Sequence, residues 1–300
     1  MTGRMVTETD SRRTTPLPPH LGQSVRRNRL VTRLAVYLAI LFICGLMLLP
    51  LFIMLSTALK TQETVLLFPP QWIPNPLNWA SFSEALATGP YGQYFFNTSQ
   101  YAIVGTFGEV LSSAIVAYGF SRYRGWGRNV LFLIVLATMM IPYPVVMIPQ
   151  FVLFKTLGWT DSYLPLIVPA FFGSAYIIFL LRQFFNTLPN DLFEAARLDG
   201  CGEFRAFWKI ALPLSKPALA SAAIFGFMGR WNDYLGPLIY LNSEEKYTVS
   251  IALASFMSPY TLIPWHLLMA VTLVAVLPPI VIFFFAQKYF VRGIVISGMK

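Results

Sequence analysis

The sequence predicts an all-α, polytopic membrane protein of six transmembrane helices, and three observations predict it. Hydrophobic residues make up 56% of the chain and charged residues 12%, where an ordinary soluble domain carries about 25% charged residues. Apolar runs long enough to cross about 30 Å of hydrocarbon recur along the chain, and they are continuous, without the alternation of a barrel strand, so helices are the spanning form. Lys and Arg then fall on alternate loops, as the positive-inside bias of multi-pass proteins requires.

Residues 1–29 are rich in Arg, Thr and Pro and are expected to form a disordered basic tail. Ser24-Val25-Arg26-Arg27 resembles the start of an export signal, but the apolar run that follows is too long for a cleaved signal core and further spans come after it. It is read as an uncleaved first helix, Leu34 to Leu55. The outer loop from Lys60 to Phe96 carries Pro69, Pro70, Pro74, Pro76, Trp72 and Trp79; Trp at a membrane edge is more often an interfacial anchor than a binding residue, and a loop of this length also offers a docking surface. Spans two to four follow at Ser99 to Phe120, Val130 to Val152 and Leu164 to Phe184. The fifth covers Leu214 to Leu241 and the sixth Leu267 to Phe290, with a second outer loop between them, from Asn242 to Trp265, carrying Glu244, Glu245, Tyr247 and Tyr260. Prolines such as Pro142, Pro144, Pro237, Pro278 and Pro279 interrupt several spans; each removes a helical hydrogen bond and permits a kink.

The basic residues fix an orientation. Seven arginines precede or open the first span, three lie between spans two and three, five basic residues lie between spans four and five, and three at the end, against Lys60, Lys155 and Lys246 on the opposite loops. Both termini and the loop between spans four and five are therefore expected in the cytoplasm. The net charge of +9 is this bias added up and requires no nucleic acid.

That loop holds the most informative segment. Glu194-Ala195-Ala196 is followed by three residues, Gly200, nine residues, Ile210, one residue, and Leu212-Pro213. Pro189 suits a first helical turn, Asp191 and Glu194 suit the positive N-terminal end, and Gly200 supplies a left-handed stop after Asp199. Apolar Phe204, Phe207, Trp208 and Ala211 recur at helical spacing up to Pro213, which predicts a second short helix with one buried face.

Polar residues inside the spans are few. Arg230 and Asp233 lie three apart in span five, with Asn232 beside them, a spacing at which the charges neutralise one another along a helix face. The pair reads either as pathway lining or as a lock on helix packing. Glu109 in span two, near Ser112 and Ser113, reads as lining the same cavity or as meeting another subunit. Ala218, Ala222 and Gly226 recur every four positions, a spacing that admits a close neighbouring helix.

Several chemistries are excluded. No Lys follows a Gly, so the Gly-Lys-Ser/Thr of a phosphate-cradling loop is absent, and there is no HExxH zinc pair and no GxSxG elbow. Cys44 and Cys201 fall at different levels and suit neither a disulfide nor a metal site; His20 and His266 are isolated. No cofactor, no metal and no catalytic residue is expected, and the energy for any active transport must come from another polypeptide.

The Glu-Ala-Ala spacing resembles the EAA signature of the membrane subunits of bacterial ABC importers, and every fixed position is filled. Beyond it, LLRQFFNTLPNDLFEAARLDG, Trp231-Asn232-Asp233-Tyr234 and the ending QKYFVRGIVISGMK resemble the carbohydrate-type permeases of the maltose and glycerol-3-phosphate group. The resemblance implies a type I importer permease domain over 30–300 in the bacterial inner membrane. It implies that 186–213 forms a cytoplasmic coupling segment, with Glu194, Ala195, Ala196, Asp199, Gly200, Ile210, Leu212 and Pro213 meeting ABC ATPase subunits. A second permease chain, an extracytoplasmic substrate-binding protein and the lipid bilayer are the other implied partners. The implied cargo is a sugar or oligosaccharide, with glycerol-3-phosphate, a polyol or an osmolyte as alternatives. An ATPase-independent secondary transporter or channel is the reading of another class.

Overall fold

The computed structural model describes the backbone of residues 19–257 and 262–297 and the side chains of 31–257 and 262–287. No strand occurs among the described residues. The chain divides into two units, residues 1–53 and 54–300.

The first unit is the greater part of helix α1 (Pro19–Ala58). This helix begins inside the tail expected at 1–29; residues 1–18, and the side chains of the Ser24–Arg27 stretch, lie outside the description. From Val31 to Pro50 every side chain is exposed. Such a run of exposed Leu, Ile and Phe is the face of a helix whose solvent is lipid.

The second unit runs through α2 (Gln62–Val65), α3 (Ala80–Ala87), α4 (Tyr91–Arg122), α5 (Arg128–Thr138), α6 (Tyr143–Thr156), α7 (Leu164–Ile167) and a 3₁₀ turn, Val168–Phe172. It continues with α8 (Ala175–Phe185), α9 (Asn190–Leu198), α10 (Glu203–Ala206), a π turn at Phe207–Ala211, and α11 (Leu212–Leu214). The last elements are α12 (Lys216–Trp231), α13 (Leu235–Tyr240), a 3₁₀ turn at Glu244–Lys246, α14 (Val249–Ser255) and α15 (Trp265–Ser297).

Four helical stretches are long and apolar enough to cross a membrane, Val31–Ala58, Tyr91–Arg122, Leu164–Phe185 and Trp265–Gln287, and the total is six when each of two bent pairs is counted as one span. The third span is not the continuous helix expected over Val130 to Val152: α5 and α6 meet at 93°. Pro142 causes the break, since it lacks an N–H and bars Ile141 from the α region, while Pro144 sits in the first turn of α6, where its missing N–H costs nothing. The fourth span is interrupted where Gly173 turns left-handed at φ +88°, and Ser113 Oγ accepts the N–H of Ser174 there at 3.0 Å.

The fifth span also differs from the expected Leu214 to Leu241. Its helix α12 stops at Trp231, is bent by 80° from Glu203–Leu214, and is followed by an irregular Asn232-Asp233-Tyr234 before α13. Pro237 cannot donate to the carbonyl four residues back, and the Asp233 carboxylate accepts the Gly236 N–H at 3.1 Å instead. Asn232 closes α12 through its side-chain amide, which donates to Met228 O at 2.8 Å. The sixth span, α15, runs past the expected end at Phe290; Tyr260 and residues 298–300 lie outside the description, as do the side chains of Lys288 and Arg292.

Helix α4 is the axis of the second unit and packs most extensively on α12 and α8. Small buried residues allow the approach: Ala102, Ala114 and Ala117 on α4, and Ala218, Ala222 and Gly226 on α12. One core cluster, around Tyr118, Phe185, Phe193 and Phe207, sits at the end bearing the Arg-rich loops. A second, around Tyr91, Tyr94, Val249 and Val271, sits at the opposite end.

Candidate coupling segment and a part-buried ion pair

Helix α9 ends as its sequence demands. Gly200 sits at φ +76°, its N–H reaches Arg197 O at 3.0 Å, and the Cys201 N–H reaches Ala196 O at 2.8 Å. This double bond pattern is the Schellman stop, which satisfies carbonyls the helix would leave bare. Glu194, Ala195, Asp199 and Gly200 are exposed, Ala196 is half-buried, and Leu198 beside them is 90% exposed.

The underside of α9 is clamped to the end of α4. Phe193 is buried, with the Arg122 guanidinium over its ring at 3.9 Å, a contact that contributes about 1 kcal/mol in addition to burial of the ring. Arg122 also donates to Asn190 Oδ1 at 2.6 Å, Phe185 O at 2.7 Å and Leu188 O at 3.1 Å. Tyr118 packs on Phe185, Phe193 and Phe207 and donates its hydroxyl to Glu203 at 3.2 Å. Glu203 in turn pairs with Arg197 at 2.6 Å, so its carboxylate ties α9 to α10 and raises the Arg197 pKa through that hydrogen bond. Tyr118, Arg122 and Glu203 thereby join two short helices and a spanning helix into one body.

The second short helix departs from the expected buried face. Phe207 and Ala211 are buried, but Phe204 is 74% exposed and Trp208 is 44% exposed; those two rings pack edge to face on the outside at 6.1 Å. The π turn from Phe207 to Ala211 widens the helix and changes the phase on which the expectation rested. Ile210 and Leu212 are half-buried, and Pro213 is exposed. Leu198 on α9 and Phe204 and Trp208 on the helix after it are thus apolar side chains left exposed.

Inside the bundle, the expected Arg230–Asp233 pairing does not occur. Arg230 Nη1 lies 2.6 Å from Glu109 Oε2 on α4, and Asp233 accepts the Tyr101 hydroxyl at 2.8 Å. Because α12 ends at Trp231, Asp233 leaves the helix face that carries Arg230. Ser112 and Ser113 serve the broken fourth span, Ser112 Oγ reaching Ala170 O at 3.3 Å. Asn232 is exposed and acts as a cap. Two glycines make room for the ion pair: a Cβ on Gly105 would lie 2.4 Å from Arg230 Nε, and one on Gly226 would lie 2.8 Å from Glu109 Oε2.

Glu109, the segment from Glu194 to Pro213, and Arg230 all fall within residues 109–296, which match the family model described as the inner membrane component of binding-protein-dependent transport systems. The chain belongs to this family. As a permease it is 37% identical to the arabinooligosaccharides transport system permease protein AraQ of Bacillus subtilis (strain 168), over 90% of this chain and 96% of that protein. It is 33% identical to the sn-glycerol-3-phosphate transport system permease protein UgpE of Yersinia enterocolitica, over 88% of this chain and 97% of that one. Among solved structures it resembles that of a bacterial ABC transporter involved in the import of the acidic polysaccharide alginate. That likeness has a TM-score of 0.76 at 26% identity and covers 92% of this chain and 100% of the other.

At the end of the permease away from the Arg-rich loops, Asp161 anchors the loop after α13. Its carboxylate accepts the Asn242 and Ser243 N–H groups at 2.9 Å each, the Ser243 hydroxyl at 2.5 Å and Lys246 Nζ at 2.8 Å. The Lys246 bond, then those from Ser243 and Asn242, hold the Asp161 carboxyl well below the usual carboxylate range. Tyr163 donates to Lys246 O, and Asn97 donates to Glu245 O at 2.8 Å and Tyr247 O at 3.0 Å. Sequence reasoning took Lys246 only as a topology charge and missed Asp161. Its partners lie about 80 residues along the chain, beyond the reach of any local pattern; its position just after Gly158 and Trp159 marked only a turn.

Proposed function

We propose that this chain is the transmembrane permease subunit of an ATP-driven ABC importer for a sugar or oligosaccharide. The observation that carries the coupling reading is the Schellman-stopped α9, whose outer face presents Glu194, Ala195 and Gly200 while Arg122 and Tyr118 fasten its underside to the spanning helix α4. A push on this face is delivered to α4, and through the Glu109–Arg230 contact to α12, with no flexible linker between.

In this reading residues 30–300 form the permease domain, 186–213 is the coupling segment, and 1–29 is a tail on the cytoplasmic side. Cytoplasmic ABC ATPase subunits hydrolyse the ATP, and the chain itself catalyses nothing. Glu194, Ala195, Ala196, Asp199 and Gly200 meet the ATPase, Leu198, Phe204 and Trp208 supply the apolar part of the contact, and Ile210, Leu212 and Pro213 hold the second helix in place. The loop from Asn242 receives a substrate-binding protein outside, and a second permease completes the pathway lined by Glu109, Arg230 and Asp233. ATP must favour one arrangement of the spans over the other for the cycle to run.

The cargo class rests on the likeness to AraQ; the likeness to UgpE favours glycerol-3-phosphate as a second reading. Reconstitution with the neighbouring gene products, and measurement of which radiolabelled solute is taken up, separates the two. In the same vesicles Glu194→Ala with Gly200→Ala should leave hydrolysis running while uptake falls. Undiminished uptake would rule out the lever.

A further inference from the structure

Beside the coupling segment lies a cavity of about 690 Å³ that transport by a lever does not require. Arg122, Arg124, Arg128, Arg182 and Arg197 line it, against the carboxylates of Glu194 and Glu203. Arg197 and Glu203 neutralise one another. Of the remaining four arginines, none makes an ion pair among the described residues: Arg122 binds the neutral acceptors already given, Arg128 donates to Tyr123 O at 3.1 Å, and Arg182 donates to Phe120 O at 3.4 Å. Arg182 is also held over the Phe132 ring at 3.9 Å. Four guanidinium groups around one hollow, set against the one remaining carboxylate of Glu194, leave an excess of positive charge that an anion would relieve, and the planar fork of Arg matches a phosphate through paired N–H···O bonds.

The cavity continues into an apolar flank of the protein. A shallower apolar recess adjoins it, lined by Val116, Gly119, Phe120, Trp126 and Leu131, and shares Phe120, Tyr123, Arg124 and Arg128 with it. Trp126 is fully exposed, and the Val130, Leu133 and Ile134 side chains that follow along α5 are 56–66% exposed. An exposed Trp at the foot of an apolar helix marks the headgroup level. A ligand that fills both hollows has an anionic head and an apolar tail.

We propose that this paired hollow is a binding site for an anionic phospholipid of the leaflet on the Arg-rich side, its phosphate among Arg122, Arg124, Arg128 and Arg182 and an acyl chain in the recess below Trp126. Basic pockets between spanning helices bind such headgroups elsewhere. Since Glu194 lines the same cavity and Asn190 and Phe193 form its wall, the headgroup would stand between α5 and α9 and brace the segment against the bundle. This inference does not depend on the cargo or on the ATPase.

The test is native mass spectrometry of the full chain, purified with the subunits it assembles with, from nanodiscs holding equal parts of phosphatidylglycerol and phosphatidylcholine. The wild type should retain phosphatidylglycerol at least fivefold over phosphatidylcholine, and Arg124→Gln/Arg128→Gln should abolish that preference with unchanged gel-filtration elution. Should the double variant fail to assemble, Arg124→Gln carries the test alone, because Arg124 is exposed and makes no hydrogen bond or ion pair among the described residues. Added inorganic phosphate at tens of millimolar should not displace the lipid; displacement would mean a free-phosphate site and overturn the proposal. Equal lipid retention by wild type and variant would overturn it too, and if ATPase assembly alone were lost the arginines would be a protein-docking surface instead.

Discussion

Arg230 lies 2.6 Å from Glu109, 121 residues away along the chain, while Asp233, three residues from Arg230, is bound to Tyr101. Both side chains of the ion pair are 14% exposed. Removing one partner of a pair this enclosed leaves a charge without compensation and costs about 3 kcal/mol or more, whereas removing both costs much less. Glu109→Ala or Arg230→Ala should therefore lower the half-unfolding temperature of the purified protein by about 6–12 °C. Glu109→Gln/Arg230→Met should recover most of that loss. A double variant whose loss equals the sum of the two singles would show that the residues do not interact.

The same pair makes a sharper demand on Gly105. A Cβ there meets Arg230 Nε at 2.4 Å and Cδ at 2.8 Å, so Gly105→Ala must displace the guanidinium from Glu109, a strain of about 1–3 kcal/mol. Gly229→Ala, on the same helix as Arg230, meets nothing within 4 Å and should be neutral or slightly stabilising. Thermal melts of the two variants compare them directly; equal stability would mean that α4 and α12 stand further apart.

What the sequence made legible was local. The number of spans follows from run length, and the stop at Gly200 follows from a glycine after Leu198 and Asp199, since a left-handed turn is written in one residue. Ala218, Ala222 and Gly226 read correctly as packing because small residues every fourth position have few other uses. The partner of Arg230 was not legible. The i,i+3 rule presupposes that one helix carries both residues, and the Pro237-driven break after Trp231 removes that condition. Gly105 and Gly108, just before Glu109, were the available sign that another element comes close to α4 there. Phe204 and Trp208 were misplaced for a related reason, since a single π turn rephases a short helix and no composition announces it.

Gly200 itself supports a graded prediction. A Cβ at this position meets nothing within 4 Å, so the cost of substitution comes from φ +76° alone, about 1–2 kcal/mol for an ordinary L-residue and less for Asn. Uptake in vesicles should fall in the order Gly, Asn, Ala, Val, while the amount of inserted protein stays constant. Equal uptake by Gly200→Asn and Gly200→Val would show that the left-handed stop has no part in coupling.

Asp161 predicts a pH response at the other end. Its carboxyl is depressed, with the Lys246 hydrogen bond the largest cause, so the anchor is fully present above the ordinary Asp value of about 3.9 and is lost only as pH falls through the lower, folded value. Between pH 5 and 8 the loop from Asn242 to Lys246 should keep its protection, and amide exchange of Ser243, after correction for intrinsic rate, should be flat across that window. Asp161→Asn keeps the shape but removes the charge that holds Lys246, and should raise exchange at Asn242 and Ser243 at every pH tested. A wild-type loop that loosens between pH 6 and 5 would mean that Asp161 titrates in the ordinary range and that the anchor is weaker than its four donors imply.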